Sequence, residues 1–166
     1  MEDVMPNLDE MGTSLGALLK EKGETIAIAE TSAGGLISAS LLSIGGASAY
    51  FLGGGVLYTY ESRNKMLDLP QDTFDGMRPS TEEYALRIAR AAREHLGSTW
   101  GVGETGATGP KGNRYGDDAG HSCIGVSGPR DAVITLETGS ADRVANMWAF
   151  TQAALELIEK TVRGNS

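Results

Sequence analysis

Short apolar runs alternate along the chain with segments whose apolar residues recur every three or four positions, and most changes of period are punctuated by glycine. That alternation restricts the fold to a sheet with helices packed on it. Residues 8–22 place Leu8, Met11, Leu15, Leu18 and Leu19 at helical spacing and stop at Gly23, which predicts a helix. "TIAIAE" (25–30) predicts a short buried strand, "AGGLISASLLSI" (33–44) a helix, "GGVLYTY" (54–60) a strand, and "ESRNKMLDL" a short helix closed by Pro70. "STEEYALRIARAAREHLG" (80–97) opens on a Ser/Thr cap, carries Tyr84, Ile88, Ala91 and Ala92 on one side and ends at Gly97. "TWGVGE" (99–104) predicts a strand, followed by a glycine-rich loop from Thr105 to Gly120. "HSCIGVSG" and "DAVITLET" flank a turn at Pro129-Arg130 and predict an antiparallel hairpin. A final helix from Asp142 to Val162 has Val144, Met147, Trp148, Thr151, Leu155 and Ile158 as its inner face. Strands interleaved with helices and ending in a hairpin predict a three-layer α/β/α sandwich around a mixed sheet.

A chain of 166 residues suits one domain, here 1–166 with flexible ends at 1–7 and 164–166, and buries about two-thirds of its unfolded surface. Its single cysteine, Cys123, lies in an apolar strand and reads as a buried small residue. Neither an export leader nor a long uncharged apolar run is apparent, so the expected location is cytoplasmic. Twenty-two acidic against fourteen basic side chains give a charge of -8 with no basic cluster, which argues against nucleic-acid and membrane partners. His95 and His121 have no companion at metal-ligand spacing, so no metal is expected. The apolar face of the last helix is compatible with a homodimer.

Two glycine-rich junctions carry the candidate chemistry. "AETSAGGLIS" (29–38) places Thr31, Ser32, Gly34 and Gly35 between a strand and a helix. Amide groups at such a helix start suit a phosphate or carboxylate, whereas Thr31 or Ser32 equally suits a simple helix cap. Glu30, at the strand's end, either orients a hydroxyl or caps the loop. "ETGATGPKGNRYGD" (104–117) offers Gly106 and Gly109 amides with Thr105, Thr108, Lys111 and Arg114, a composition that can form an anion nest. Neither stretch matches the dinucleotide, triphosphate-loop or α/β-hydrolase patterns.

"AETSAGGLIS" and "ETGATGP", with "GGASAYFLGGGVLYTY" between them, resemble the CinA C-terminal domain family, whose enzymatic members are nicotinamide-nucleotide amidohydrolases. The resemblance runs from about residue 8 to 163. It implies a mixed, mostly parallel five-stranded sheet in the α/β/α sandwich, no metal or redox cofactor, and a nucleotide-like substrate. With no large domain before it, the chain reads as a stand-alone member. The implied reaction is hydrolysis of the carboxamide of nicotinamide mononucleotide to a carboxylate and ammonia. By correspondence with the family motifs, Ser48 in "GASAYF" stands for the nucleophilic serine, Tyr58 for the tyrosine beside it, and Thr105 for the serine of the second loop. The same correspondence gives Glu30, Thr31, Ser32, Gly34, Gly35, Gly106, Gly109 and Arg143 to substrate binding.

The chain departs from the family at several positions. Arg63 stands where the family has its activating lysine, and a guanidinium stays protonated at physiological pH. Lys65, two residues along a helix, points about 200° away. The arginine before the last helix is displaced from Ala141 to Arg143. Three functions follow: an amidohydrolase of the family type, a paralogue that binds a nucleotide-like anion without turnover, or a hydrolase of another small anionic amide or ester.

Overall fold

The computed structural model describes residues 7–164. The other positions expected to be flexible, 1–6, 165 and 166, lie outside the described residues. Asn7 and Gly164, also expected to be flexible, are helix caps. Helix α1 (Leu8–Lys22) begins where Asn7 accepts the Asp9 N–H and ends at Gly23, φ +65°. Then come β1 (Ile26–Glu30), α2 (Leu36–Leu42), β2 (Phe51–Val56), α3 (Tyr60–Met66), α4 (Glu82–Leu96), β3 (Trp100–Ala107), β4 (His121–Ser127), β5 (Ala132–Glu137) and α5 (Arg143–Arg163).

The strands form one sheet in the order β2-β1-β3-β4-β5. β1 is parallel to β2 and β3, while β4 is antiparallel to β3 and β5, so four of the five strands point the same way. Alternation along β1 and β3 divides the core into two layers. Ile26, Ile28, Trp100 and Val102 face α1, α2 and α5, packing with Leu15, Leu19, Ile37, Phe150 and Ile158. Ala27 and Ala29 face the other way, onto Tyr84, Ile88, Ala91 and Ala92 of α4 and onto Phe74.

Gly101 and Gly103 of β3 lie directly against α4, which leaves no room for a side chain at either position. A Cβ on Gly103 would sit 2.1 Å from the Ala85 carbonyl oxygen. Gly103→Ala is therefore expected to lower stability by about 2–3 kcal/mol, read from the urea midpoint, and an unchanged midpoint would contradict this contact.

Several boundaries differ from expectation, each for a local reason. The second strand is Phe51–Val56 rather than 54–60, because Thr59 and Ser62 form a reciprocal capping box that starts α3 at Tyr60. Helix α2 is shorter than 33–44, since Gly34 and Gly35 take φ +70° and +99° in the turn before it. β3 continues to Ala107 by pairing Thr105 with Cys123 and Gly106 with Ser122, so these two residues are strand rather than loop. Val144 is exposed on α5, not part of its inner face, and Trp148 is half-buried; Trp100 and Cys123 are core.

Candidate functional site

A polar cleft opens beyond the carboxyl ends of β1 and β3, the usual place for a ligand in an open α/β sheet. Its main chamber measures about 580 Å³ and is lined by Thr31, Ser32, Tyr58, Tyr60, Thr105 and Gly106, together with Ser80, Tyr84 and Tyr115. A side chamber of about 180 Å³ shares Ser32, Tyr58 and Gly106 and adds Gly109, Lys111 and Arg143. The combined size suits a small ligand, and the side chamber has the charge for an anion.

Two buried carboxylates sit beneath the cleft floor. Glu30 accepts hydrogen bonds from the N–H groups of Gly35 (2.8 Å), Ile37 (3.2 Å) and Ser38 (3.0 Å) and from the Ser38 hydroxyl (2.8 Å). The start of α2 is thus capped internally. Glu30, Gly34 and Gly35, which the family correspondence gives to substrate binding, are not among the residues that line the cleft.

Glu104, 0% exposed, closes the other half of the turn. Its Oε1 accepts the N–H of Thr31 (3.2 Å) and Ala33 (2.7 Å), and its Oε2 accepts the hydroxyls of Ser32 and Ser122, the latter at 2.8 Å. Burial raises its pKa above the ordinary carboxylate range, partly opposed by the Ser32, Ala33 and Ser122 hydrogen bonds. A hydroxyl that lines both chambers is therefore paired with a carboxylate of increased proton affinity. The sequence reading missed Glu104, although an acidic residue inside the small, apolar run "WGVGETGA" was its signal.

Arg63 does not line the main chamber. It is 6% exposed in an aromatic box, its guanidinium carbon 3.8 Å from the Phe74 ring centroid, 4.9 Å from Tyr60 and 5.8 Å from Tyr84, with Nη1 donating to the Tyr84 hydroxyl (3.3 Å). Lys65 projects into solvent and pairs with Glu61, as the helical spacing requires. At the rim, Arg114 donates to the hydroxyls of Tyr60 (2.7 Å) and Tyr115 (2.9 Å), which also contact each other. Burial pushes the Tyr60 phenol up, but the hydrogen bonds from Tyr115 and Arg114 and the charges of Arg114 and Arg63 outweigh it, so its pKa is lowered. Tyr60 thus sits between the Arg114 and Arg63 guanidinium groups, while Tyr58 lines the side chamber with Lys111 and Arg143.

Thr105 lies on the chamber wall, its oxygen accepting the Ser80 N–H at 3.1 Å. Arg143 donates to the Gly109 carbonyl and fixes the second loop against α5. Ser48 lies elsewhere. It is exposed on the short turn before β2, at the opposite end of that strand from Tyr58. The six residues of β2 alone separate those ends by about 17 Å at roughly 3.3 Å per residue. Within one chain, Ser48 is not brought together with Tyr58, Arg63 and Thr105.

The fold and cleft define an α/β/α domain with a polar, partly cationic site at the carboxyl edge of its sheet. The family described as the CinA C-terminal domain matches residues 8–162, and the chain belongs to it. It is 34% identical over 152 residues to a CinA-like protein of Desulforapulum autotrophicum and 36% identical over 156 residues to one of Chloroherpeton thalassium. These matches cover 90% and 91% of the chain but 36% and 37% of those proteins, so the chain spans little more than a third of their length. Among solved structures, the competence/damage inducible protein CihA of Agrobacterium tumefaciens superposes with a TM-score of 0.85 at 23% identity, covering 97% of this chain and 99% of that one. The likeness establishes the fold.

Proposed function

We propose that the domain is an amidohydrolase for a small anionic carboxamide, with nicotinamide mononucleotide the first substrate to test. The observation that carries the reading is the Ser32 hydroxyl on the Glu104 carboxylate, directly beside a chamber furnished with Lys111 and Arg143. The cations hold the phosphate and the main chamber receives the pyridine ring. Ser32 Oγ attacks the carboxamide carbon while its proton passes to Glu104 Oε2. Thr105 accepts from the Ser80 amide, which leaves its own proton for the developing oxyanion. Collapse of the tetrahedral intermediate breaks the C–N bond, and ammonia departs with the proton held by Glu104. Water then attacks the acyl-serine, again losing its proton to Glu104, and releases the carboxylate while Ser32 is reprotonated. Assigning the nucleophile's part to Ser32 replaces the expected Ser48, which stands outside the cleft.

A second reading, nucleotide binding without turnover, is favoured by one feature: a caged guanidinium occupies the family's lysine position. Ammonia release from nicotinamide mononucleotide distinguishes the two. Turnover supports the hydrolase, thermal stabilisation by the nucleotide without ammonia supports the binder, and the absence of both excludes this ligand.

The raised Glu104 also fixes the pH dependence. The base must be ionised, so activity is expected to fall as pH drops through a midpoint above the ordinary carboxylate range. An acid limb within that ordinary range would argue against Glu104 as the base.

A further inference from the structure

Ser80 is one of two described non-glycine residues with positive φ, at +61°. A left-handed serine is a strained conformation that persists only when its surroundings determine it. Here the surroundings do so from both sides. The Ser80 N–H donates to Thr105 Oγ1, while its carbonyl accepts from His121 Nε2 at 2.8 Å and lies 3.5 Å from the Cys123 thiol. Ser80 and Thr105 both line the cleft, and His121 is buried behind them.

The imidazole faces acceptors on both edges. Nδ1 contacts the Glu137 carboxylate on β5, and Nε2 meets the Ser80 carbonyl, with Asp117 Oδ2 3.8 Å away. Neutral histidine carries one N–H and can satisfy only one of these partners; imidazolium satisfies both. The other ionisable neighbours are the Cys123 thiol on β4, 3.6 Å from Nε2, Arg78, which holds Asp117 at 2.7 and 3.1 Å, and Glu82 of α4, bonded to the neighbouring Thr135.

We propose that His121, as imidazolium, is a positioning residue that clamps the strained Ser80 and thereby holds Thr105 ready to donate into the cleft. A chain of contacts then links Glu137 at the surface to the oxyanion side of the site: carboxylate, imidazolium, Ser80 backbone, Thr105 hydroxyl. Burial alone would depress the imidazole pKa, but Glu137, the Ser80 carbonyl and Asp117 outweigh it and the value is raised. The stability His121 contributes is accordingly complete below the unfolded histidine pKa of about 6.5, and it is lost as pH rises through the higher folded value. The clamp itself rests on geometry; only its catalytic consequence rests on the proposed hydrolysis.

The test is an NMR titration of the whole chain, following the His121 ring and the Ser80 and Thr105 amides. Wild-type protein is compared with Glu137→Gln, an exposed-site variant, and with His121→Gln. The two amides are expected to titrate with the ring. The common midpoint should move to lower pH in Glu137→Gln, and the pH dependence of both amides should vanish in His121→Gln. Amides that do not move with the ring, or a midpoint unchanged in Glu137→Gln, would overturn the clamp. In a parallel assay, ammonia release from nicotinamide mononucleotide should fall about tenfold as pH passes the wild-type midpoint, with the fall beginning at lower pH in Glu137→Gln. Amides that titrate as expected in a protein that neither binds nor hydrolyses the nucleotide would uphold the clamp and exclude nicotinamide mononucleotide as the ligand.

Discussion

Glu104→Leu is expected to lose about 3–5 kcal/mol of stability, while Glu104→Gln loses about 1 kcal/mol and retains the fold. The difference follows from how the two carboxylate oxygens are used. Oε1 accepts two backbone amides and Oε2 receives two hydroxyls. A glutamine can keep its oxygen on the Thr31 and Ala33 amides and turn its NH2 toward Ser32 and Ser122, whose oxygens can accept. Leucine removes the partner of all four donors and leaves the Ala33 N–H and the Ser122 hydroxyl buried and unpaired. Glutamine has no basic oxygen to take the Ser32 proton, so the folded Glu104→Gln protein is expected to lose about 10²–10⁴-fold in turnover. Urea unfolding gives the first comparison and ammonia release the second. Equal stability of the two variants would contradict the buried network, and full activity of the glutamine variant would remove Glu104 from the chemistry.

Arg63→Met is expected to cost about 2–3 kcal/mol, because the guanidinium packs against Phe74 at 3.8 Å and Tyr60 at 4.9 Å in a site nearly closed to solvent. Arg63→Lys keeps the charge but replaces a flat, weakly hydrated cation by a compact, strongly hydrated one, and is expected to cost about 1–2 kcal/mol. Lysine also brings an amine that can lose its proton. If a base at this position limits the rate, Arg63→Lys gains about tenfold in ammonia release despite its lower stability. Thermal unfolding and the ammonia assay, run on the same preparations, separate the two effects. A fully stable Arg63→Met protein would show that the aromatic box does not depend on the cation.

The parts of the fold that were legible in the sequence are those set by local pattern. Helix α4 is written in its Thr81 cap, its apolar face and Gly97, and β1 in an unbroken small and apolar run ending at Glu30. The layered sheet follows from the order of such segments. Partner choice is tertiary, and there local reading stopped. "AETSAGG" offers helix-start amides to any anion, but the anion that takes them is Glu30 itself, whose side chain folds over the turn. Glu104 is spoken for by a turn more than seventy residues earlier in the chain, a relation no local window contains. The position of Ser48 was more accessible: a strand placed between Ser48 and Tyr58 must put them at opposite ends, whatever motif contains them.

Ammonia release from nicotinamide mononucleotide by wild-type, Ser32→Ala and Ser48→Ala proteins, purified in parallel, tests the central claim most directly. The cleft account predicts turnover by wild type, its retention in Ser48→Ala, and its loss by at least about a thousandfold in Ser32→Ala. Full turnover in Ser32→Ala with loss in Ser48→Ala would place the nucleophile at the other end of β2 and contradict the assignment of the Ser32–Glu104 pair.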